Sequence, residues 1–390
     1  INTPLLVFCL MNKWLVGLLL AAVVLPLLVF VGNLKVEVPQ GGTNSDAEAS
    51  PSATVAEKSA ATADSSNKFL VAPELQGISA WINSDPLTIA ELKGKVVLVD
   101  FWTYTCINCI RTLPYLSMWN DKYGDKGLVI IGVHSPEFDF EKDLDNVKKA
   151  VEKYGIKYAV ALDNDHDTWS AFKNNYWPHK YLIDANGKIR YDHIGEGGYG
   201  ETEKVIQALL EERAVAMNEK IEVEGETASP ANAVGVDFSS IATPEIYLGY
   251  QFARVNLGND EGFQPEQTVA YVAPSEHGSL VPNAVYLGGL WKNTPDSMEL
   301  VSDDGRILLK YTAKAVNIVA GPGQQPALLQ VILDGNFVDS TNSGSDVKKS
   351  MATVDGQRLY NLVYDSGYYT KVVEINAKGK GFRLYTFTFG

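Results

Sequence analysis

Hydrophobic and polar positions are arranged in four different ways along this chain, and each arrangement predicts a different kind of segment. Residues 14–31, WLVGLLLAAVVLPLLVFV, are uncharged throughout. That run exceeds the ~7–15 apolar residues of a signal-peptide core and approaches the ~20 that span a bilayer. Residues 39–67 contain no aromatic residue and only one sizeable aliphatic, Val55, too little apolar surface to offset the entropy of ordering. From Phe69 onward, apolar runs alternate with amphipathic ones. VVLVDF (96–101) and GLVIIGVH (127–134) read as buried strands. Residues 108–122 have the length and spacing of a helix, with Leu113, Leu116 and Trp119 or Asn120 on successive turns. FEKDLDNVKKAVEKYG reads as an amphipathic helix stopped by Gly155, and KYLIDANGKIRYDHI as a hairpin turning at Asn186-Gly187. GETEKVIQALLEERA places Val205, Ile206, Leu209 and Leu210 on one helical face. Strands alternating with helices predict an α/β layer fold with a mostly parallel sheet.

After Arg213 the pattern changes. Residues 214–240 are acidic and rich in small side chains. From Thr243 the helical period gives way to RILLKYTAKAVNIV, ALLQVILDGNFV, RLYNLVYD, YYTKVVEIN and GFRLYTFTFG, which read as separate strands of an all-β sandwich of jelly-roll type. The expected organisation is an N-terminal segment (1–13), a transmembrane signal anchor (14–31), a disordered linker (32–67), an α/β domain (68–213), a second linker (214–240) and a β-sandwich domain (241–390). There is no internal repeat.

Charge narrows the partners. A net charge of −14 argues against nucleic acid and against adhesion to an anionic membrane face. Residue 1 is Ile, whereas Met11 is followed by Asn12, Lys13 and the apolar run, so the initiator is expected at Met11 with residues 1–10 as upstream read-through. A cleaved signal peptide is the alternative to an anchor, although Phe30 spoils a small-x-small site at Gly32. An N-terminal anchor ahead of a large acidic domain is expected to place that domain outside, at the bacterial cytoplasmic membrane and facing the periplasm or cell exterior. The linker, with an r.m.s. reach of about 30 Å, would hold it close to the surface. Outside is where a cysteine pair can be oxidised and stay so. Cys9 lies ahead of Met11 and would be absent from the mature protein. As a lipidation site it is poorly served by Phe8.

The remaining two cysteines, Cys106 and Cys109, stand in DFWTYTCINCIRTLPY. Zinc would need four ligands, and two cysteines leave that set half empty even if His134 and His179 were recruited; no metal is expected. A structural disulfide would close a very small loop and stabilise least by chain entropy. The redox reading has positive support, because the pair follows a buried strand and opens a helix, whose unpaired N–H groups favour a thiolate. Cys106 is then the nucleophile and Cys109 the less exposed thiol that resolves the mixed disulfide. The pair itself is the redox centre, with no other cofactor. Asp100 is either an ordinary strand-end carboxylate or a buried acid that accepts the proton of Cys109. Tyr104 and Thr105 are expected to shape substrate access to Cys106. His134 and Glu137 end the neighbouring strand on the same side, where they either tune the cysteines or are solvated.

Asp-Phe-Trp, three residues, Cys-x-x-Cys, and Pro114 five residues beyond the second cysteine together resemble the thioredoxin fold. The resemblance implies that Asp100 is the proton acceptor and that a second proline, cis in the family, faces the pair. YWPHKYLIDANGKI makes Pro178 that residue and Trp177 its substrate-side neighbour. The long gap from Cys109 to Pro178 resembles the TlpA-like and redoxin branch. VDFWTYTCINCIRTLPYL, GVHSPEFDFEKDLDNV and the β-rich end beginning TPEIYLGYQFARV resemble the C-terminal half of DipZ-type proteins, in which a thioredoxin-like domain precedes a sandwich resembling carbohydrate-binding modules. The resemblance implies a thiol–disulfide oxidoreductase acting on protein disulfides, here read as a reductase serving cytochrome c maturation. The multi-span electron-conducting domain of those proteins has no counterpart in this sequence, so electrons are expected from a CcdA- or DsbD-like membrane partner. Two rival readings remain. One is an envelope binding protein whose β domain contacts glycan or protein beside a vestigial redox module. The other is a redoxin-type peroxidase, which lacks the expected proline upstream of its cysteine.

Overall fold

The computed structural model describes residues 69–390 apart from residue 224. The expected anchor at 14–31 and the linker at 32–67 lie outside the described residues. Among the described residues no helix is long and apolar enough to cross a membrane.

The first half is built on a six-stranded sheet in the order β1-β4-β3-β2-β5-β6. The strands are β1 (Ala80–Ile82), β2 (Val96–Trp102), β3 (Leu128–His134), β4 (Ala159–Leu162), β5 (His179–Ile183) and β6 (Ile189–Ile194). Helices α1 (Ile107–Tyr123), α2 (Leu144–Lys153), α3 (Asp167–Ala171) and α4 (Tyr199–Met217) connect or follow them. The expectation of a mostly parallel sheet needs correction. Only β2–β3 and β3–β4 are parallel, while β1–β4, β2–β5 and β5–β6 are antiparallel. The β5–β6 hairpin cannot be otherwise, since a short turn reverses the chain, and it turns at the expected Gly187 with φ +82°.

Every residue of β2 is buried, because both sheet faces are covered. Strand alternation sends Val96, Leu98 and Trp102 toward the core shared with Leu113 and Leu116 of α1 and Ile206 and Leu209 of α4. It sends Val97, Val99 and Phe101 toward Ile131, Phe172 and Tyr181 on the other face. The expected helix at 140–155 is split. A 3-10 turn (Asp139–Lys142) precedes α2, because Asp143 adopts extended geometry and its carboxylate accepts from the N–H groups of Asp145 and Asn146 at 2.9 and 3.1 Å. An N-cap carboxylate satisfies donors that a continuing helix would have used itself.

The expected linker at 214–240 begins as the last turn of α4, and described residues after it pack on the first half. Ile221, Val223 and Ala228 pack on its core, and the Ala228 N–H donates to the buried Glu203, which also accepts from Trp119 and Tyr123.

The second half is β-rich. Its strands are β7 (Ile246–Tyr247), β8 (Thr268–Tyr271), β9 (Val285–Asn293), β10 (Met298–Leu300), β11 (Asp304–Gly321), β12 (Ala327–Leu333), β13 (Asn336–Phe337), β14 (Val347–Lys348), β15 (Met351–Val354), β16 (Arg358–Lys378) and β17 (Arg383–Phe389). Where separate sheets were expected, hydrogen bonding runs through one antiparallel ladder. Strand β11 pairs with β9 through Arg306–Leu309 and with β17 from Val316 onward, and β16 follows it along both parts. The two strands expected at 358–365 and 368–376 are one. The polar residues between them are absorbed as a register jump, from Ala313↔Tyr369 to Ala315↔Tyr364, with Asp365 ion-paired to Lys371 at 2.9 Å.

The two halves share a core. Tyr247, Val319, Leu359 and Tyr385 of the second half belong to the same apolar cluster as Cys109 and α1. The seam is aromatic: the Tyr385 ring lies 5.2 Å from Phe138 and 4.7 Å from Phe140, and those two rings stack 5.6 Å apart. Phe138 is 2% exposed. Truncating such a side chain leaves a void, so Phe138→Ala should lower the unfolding free energy by about 3–5 kcal/mol in a urea melt. A loss under about 1 kcal/mol would mean that the seam closes over the void.

Candidate active site

The two cysteines sit where a strand hands over to a helix. Cys106 is the N-cap of α1, its sulfur accepting from the Cys109 N–H at 3.3 Å. Both thiols are free, Cys106 half-buried and Cys109 1% exposed. Helix α1 carries Pro114 in its interior, which withholds one N–H from the carbonyl a turn earlier. Burial, with the Cys106 hydrogen bond next, pushes the Cys109 thiol well above its ordinary range.

Asp100 lies in β2 on the face toward α1, 1% exposed, and its Oδ1 has no hydrogen-bond partner among the described residues. Burial pushes its pKa up to about 7, and Lys180 opposes the rise. The ladders set its neighbours, Gly132 on β3 and Lys180 on β5. A side chain at 132 would collide with the Trp102 indole, its Cβ 2.9 Å from Nε1, so the glycine keeps this part of the sheet passable. Lys180 is fully buried and donates to the Gly195 carbonyl at 3.1 Å. Its ammonium is held below the usual lysine range by burial, with Asp100 and Cys109 pulling the other way. The sequence reading passed over Lys180. Its one signal was a lone lysine in a strand, HKYLI, that is buried from end to end.

The loop before Cys106 is clamped from three sides. Thr103 Oγ1 lies 3.4 Å from His134 Nε2, and Thr105 donates to Glu141 at 2.6 Å. Tyr104 stacks on His134 with ring centroids 5.6 Å apart and donates to the Gln357 carbonyl of the β-rich half at 3.3 Å. Tyr104 and Thr105 were expected to line the approach to Cys106. Both are instead buried, 4% and 1% exposed, and they shape the loop from beneath. His134 is also fully buried, and burial drives its pKa down to about 3, so it is a neutral wall of the clamp. Glu141 accepts from the Glu137 and Phe138 N–H groups as well. Glu137 turns toward the β-rich half, accepting from the Tyr247 hydroxyl at 2.6 Å, and burial lifts its pKa to about 8.

The Trp177–Pro178 peptide is cis. Pro178 directly precedes His179, which pairs with Phe101 at the end of β2, so the proline comes level with the strand that leads into the cysteine loop. Trp177 donates to the Ser135 carbonyl at 3.0 Å and packs on Trp169. His179 is held between Asn174 and Asp192. Within Cys-Ile-Asn-Cys, Asn108 accepts from Arg111 at 2.7 Å, and Arg111 grips Glu196 with two nitrogens, a fixture of the dipeptide that the sequence reading missed. Among the described residues no cluster of His, Cys, Asp or Glu could hold a metal. In the β-rich half, Tyr247, Tyr271, Tyr286, Tyr311, Tyr360 and Tyr385 are buried in the core, which removes six of its ten tyrosines from any ligand-stacking role.

The arrangement provides a half-exposed sulfur, a second sulfur beneath it and a buried acid in reach of neither solvent nor a full counter-charge, which is the equipment for dithiol–disulfide exchange. Comparisons with known proteins agree. Residues 72–210 match the Redoxin family model and residues 243–390 the model described as thioredoxin like C-terminal domain. The chain is 35% identical over 322 residues to Protein DipZ of Mycobacterium bovis, covering 82% of this chain and 43% of that protein. It is 33% identical to the thiol-disulfide oxidoreductase YkuV of Bacillus subtilis, covering 36% of this chain and 94% of that one. It is also 32% identical over 124 residues to the thiol-disulfide oxidoreductase ResA of Bacillus thuringiensis, covering 32% of this chain and 66% of that one. The chain thus spans less than half the length of the DipZ proteins it matches.

The raised pKa of Asp100 has a consequence for stability. Between about pH 4 and pH 7 the folded protein holds a proton that the unfolded chain releases, so this group's contribution is greatest below pH 4 and is lost as pH rises through 7. Asp100→Asn should remove that slope, gaining up to about 4 kcal/mol on the wild type between pH 4 and pH 8. Parallel stability curves for the two proteins across that range would refute titration of Asp100 there.

Proposed function

The chain belongs to the thioredoxin-like thiol–disulfide oxidoreductases, and from that premise we propose that it is a membrane-tethered, extracytoplasmic reductase of envelope-protein disulfides, of the cytochrome c maturation type. The observation that carries the redox chemistry is the pairing of half-exposed Cys106 with buried Cys109 on the same face of the sheet as the buried Asp100. Cys106 attacks a substrate disulfide as the thiolate, forming a mixed disulfide and releasing one substrate thiolate. Cys109 gives its proton to Asp100 and attacks the Cys106 sulfur, releasing the second substrate thiolate and closing the Cys106–Cys109 disulfide. Two electrons have then passed to the substrate, and a membrane dithiol donor of CcdA or DsbD type restores the pair. Pro178 and Trp177 flank the approach to the sulfur, while Tyr104 and Thr105 hold the loop in place.

The direction of electron flow is part of the proposal, and the midpoint potential of the pair decides it. The uncharged run at residues 14–31 supports the tether, and a tether ahead of a large acidic chain supports the extracytoplasmic setting.

Two measurements test this reading. Cys109→Ala should trap a mixed disulfide with substrate that Cys106→Ser cannot form, seen as a reductant-sensitive adduct on gels. The midpoint potential of the Cys106/Cys109 pair in the full chain should fall near −250 mV or below; about −120 mV would reverse the role to oxidant.

A further inference from the structure

A cavity of about 330 Å³ lies where the active-site helix meets the β-rich half, within the size range of specific ligand pockets. Ile107 and Ile110 line it from α1, Val234 and Val236 from the crossing segment, and Leu359 from β16. It begins beside the nucleophile. Ile107 is the next residue after Cys106, and the Ile110 N–H donates to the Cys106 carbonyl at 3.0 Å. Most of its polar lining is already engaged: Arg111 with Glu196, Asp346 with Arg358, and Asn317 with Asn361. Lys153 and Lys314 are different. Each rests its ammonium on an aromatic ring, Tyr154 at 5.2 Å and Tyr364 at 4.9 Å, and neither has a carboxylate ion-pair partner among the described residues. Lys153 feels Asp346, Asp355 and Arg358 nearby but forms no ion pair with either carboxylate among the described residues. In a chain of net charge −14, two cations without ion-pair partners at one largely apolar cavity that begins at the residue after the reactive cysteine are complementary to an anion attached to an apolar group.

We propose that this cavity is a specificity subsite for the polypeptide substrate, taking an apolar side chain near the substrate cysteine while Lys153 and Lys314 hold an adjacent acidic residue. The proposal rests on the redox reading and names the substrate class of that site. An extended chain advances ~3.3 Å per residue, so residues two to four positions from the disulfide span the distance of a helical turn or two from Cys106.

The test is reduction of disulfide-bonded model peptides by the full chain, alike except for the flanking pair Leu-Glu, Leu-Lys or Gly-Gly, with 2-hydroxyethyl disulfide as an uncharged substrate too small to reach the subsite. Wild type should prefer Leu-Glu over Leu-Lys in kcat/KM by about five- to tenfold, a preference that shrinks with added salt. Lys153→Glu combined with Lys314→Glu should erase or reverse that ranking and leave turnover of 2-hydroxyethyl disulfide unchanged. Equal rates on all peptides, or an unchanged ranking in the double variant, would overturn the subsite while turnover of 2-hydroxyethyl disulfide keeps the redox reading intact. Absence of turnover on every disulfide would overturn the redox reading, and the subsite with it.

Discussion

A carboxyl group in the middle of a covered sheet can be tolerated only if something offsets the loss of its hydration. Asp100 is in that position, with apolar neighbours before and after it in β2 and no partner for one oxygen. Two responses are available, a counter-ion or a proton, and this fold uses some of each. Lys180, opposite it on β5, supplies a charge that is itself poorly solvated. The remaining desolvation raises the pKa to about 7, so that a proton can meet it. A full ion pair would fix Asp100 as a carboxylate, and an apolar site would fix it as an acid. The half-compensated state leaves it able to take and return a proton near neutrality, which the proposed transfer from Cys109 would use.

That state depends on the geometry above the sheet, and here the β-rich half enters. The loop between β2 and α1 decides where Cys106 stands. Its three residues are tied to different elements: Thr103 to His134 on β3, Thr105 to Glu141 in the turn before α2, and Tyr104 to the Gln357 carbonyl at the threshold of β16. Glu141 connects this loop to Glu137, and Glu137 bonds to Tyr247 of β7. The second half therefore touches the reactive loop at Tyr104 and the support beneath it at Glu137, with the Phe138–Tyr385 contact beside them. Packing of large aromatic rings at such a seam is rigid on the scale of a bond length, so the β-rich half acts as a support for the redox loop whatever else it binds.

Much of this was legible in the sequence because the strongest signals were local. The buried strands, the helix after the cysteines, the Asn186-Gly187 turn and the cysteine spacing each depend on a few consecutive residues. What was not legible depends on pairing at a distance. The antiparallel placement of β5 beside β2, which brings Lys180 to Asp100, has no local mark, and a lysine near a proline reads as a surface residue until its strand is known to be central. The split at Asp143 was legible in principle as an N-cap, but the charged periodicity on either side disguised it. The Asp365-Ser366-Gly367 stretch looked like a turn because turns and wide bulges draw on the same residues. Tyr104 was expected to shape access to Cys106 because it stands two residues before a reactive cysteine; its burial is set by partners distant in sequence, the rings of His134 and Phe140 and the Gln357 carbonyl 253 positions away.

The same long-range contacts explain why the cysteine environment differs from what Cys-x-x-Cys alone implies. In an isolated strand–helix unit, the surface of α1 beside Cys106 would face solvent, and the helix N-terminus would govern the sulfur chemistry by itself. Here Ile107 and Ile110 face a wall of β11 and β16, and Arg111 is locked to Glu196 from the loop after β6. Asn108, the residue between the cysteines most free to vary in shape, is pinned through Arg111. The helix that opens at Cys106 is thus bordered by the second half, and under the proposed reading recognition of substrate is divided between the two halves while the redox step stays in the first.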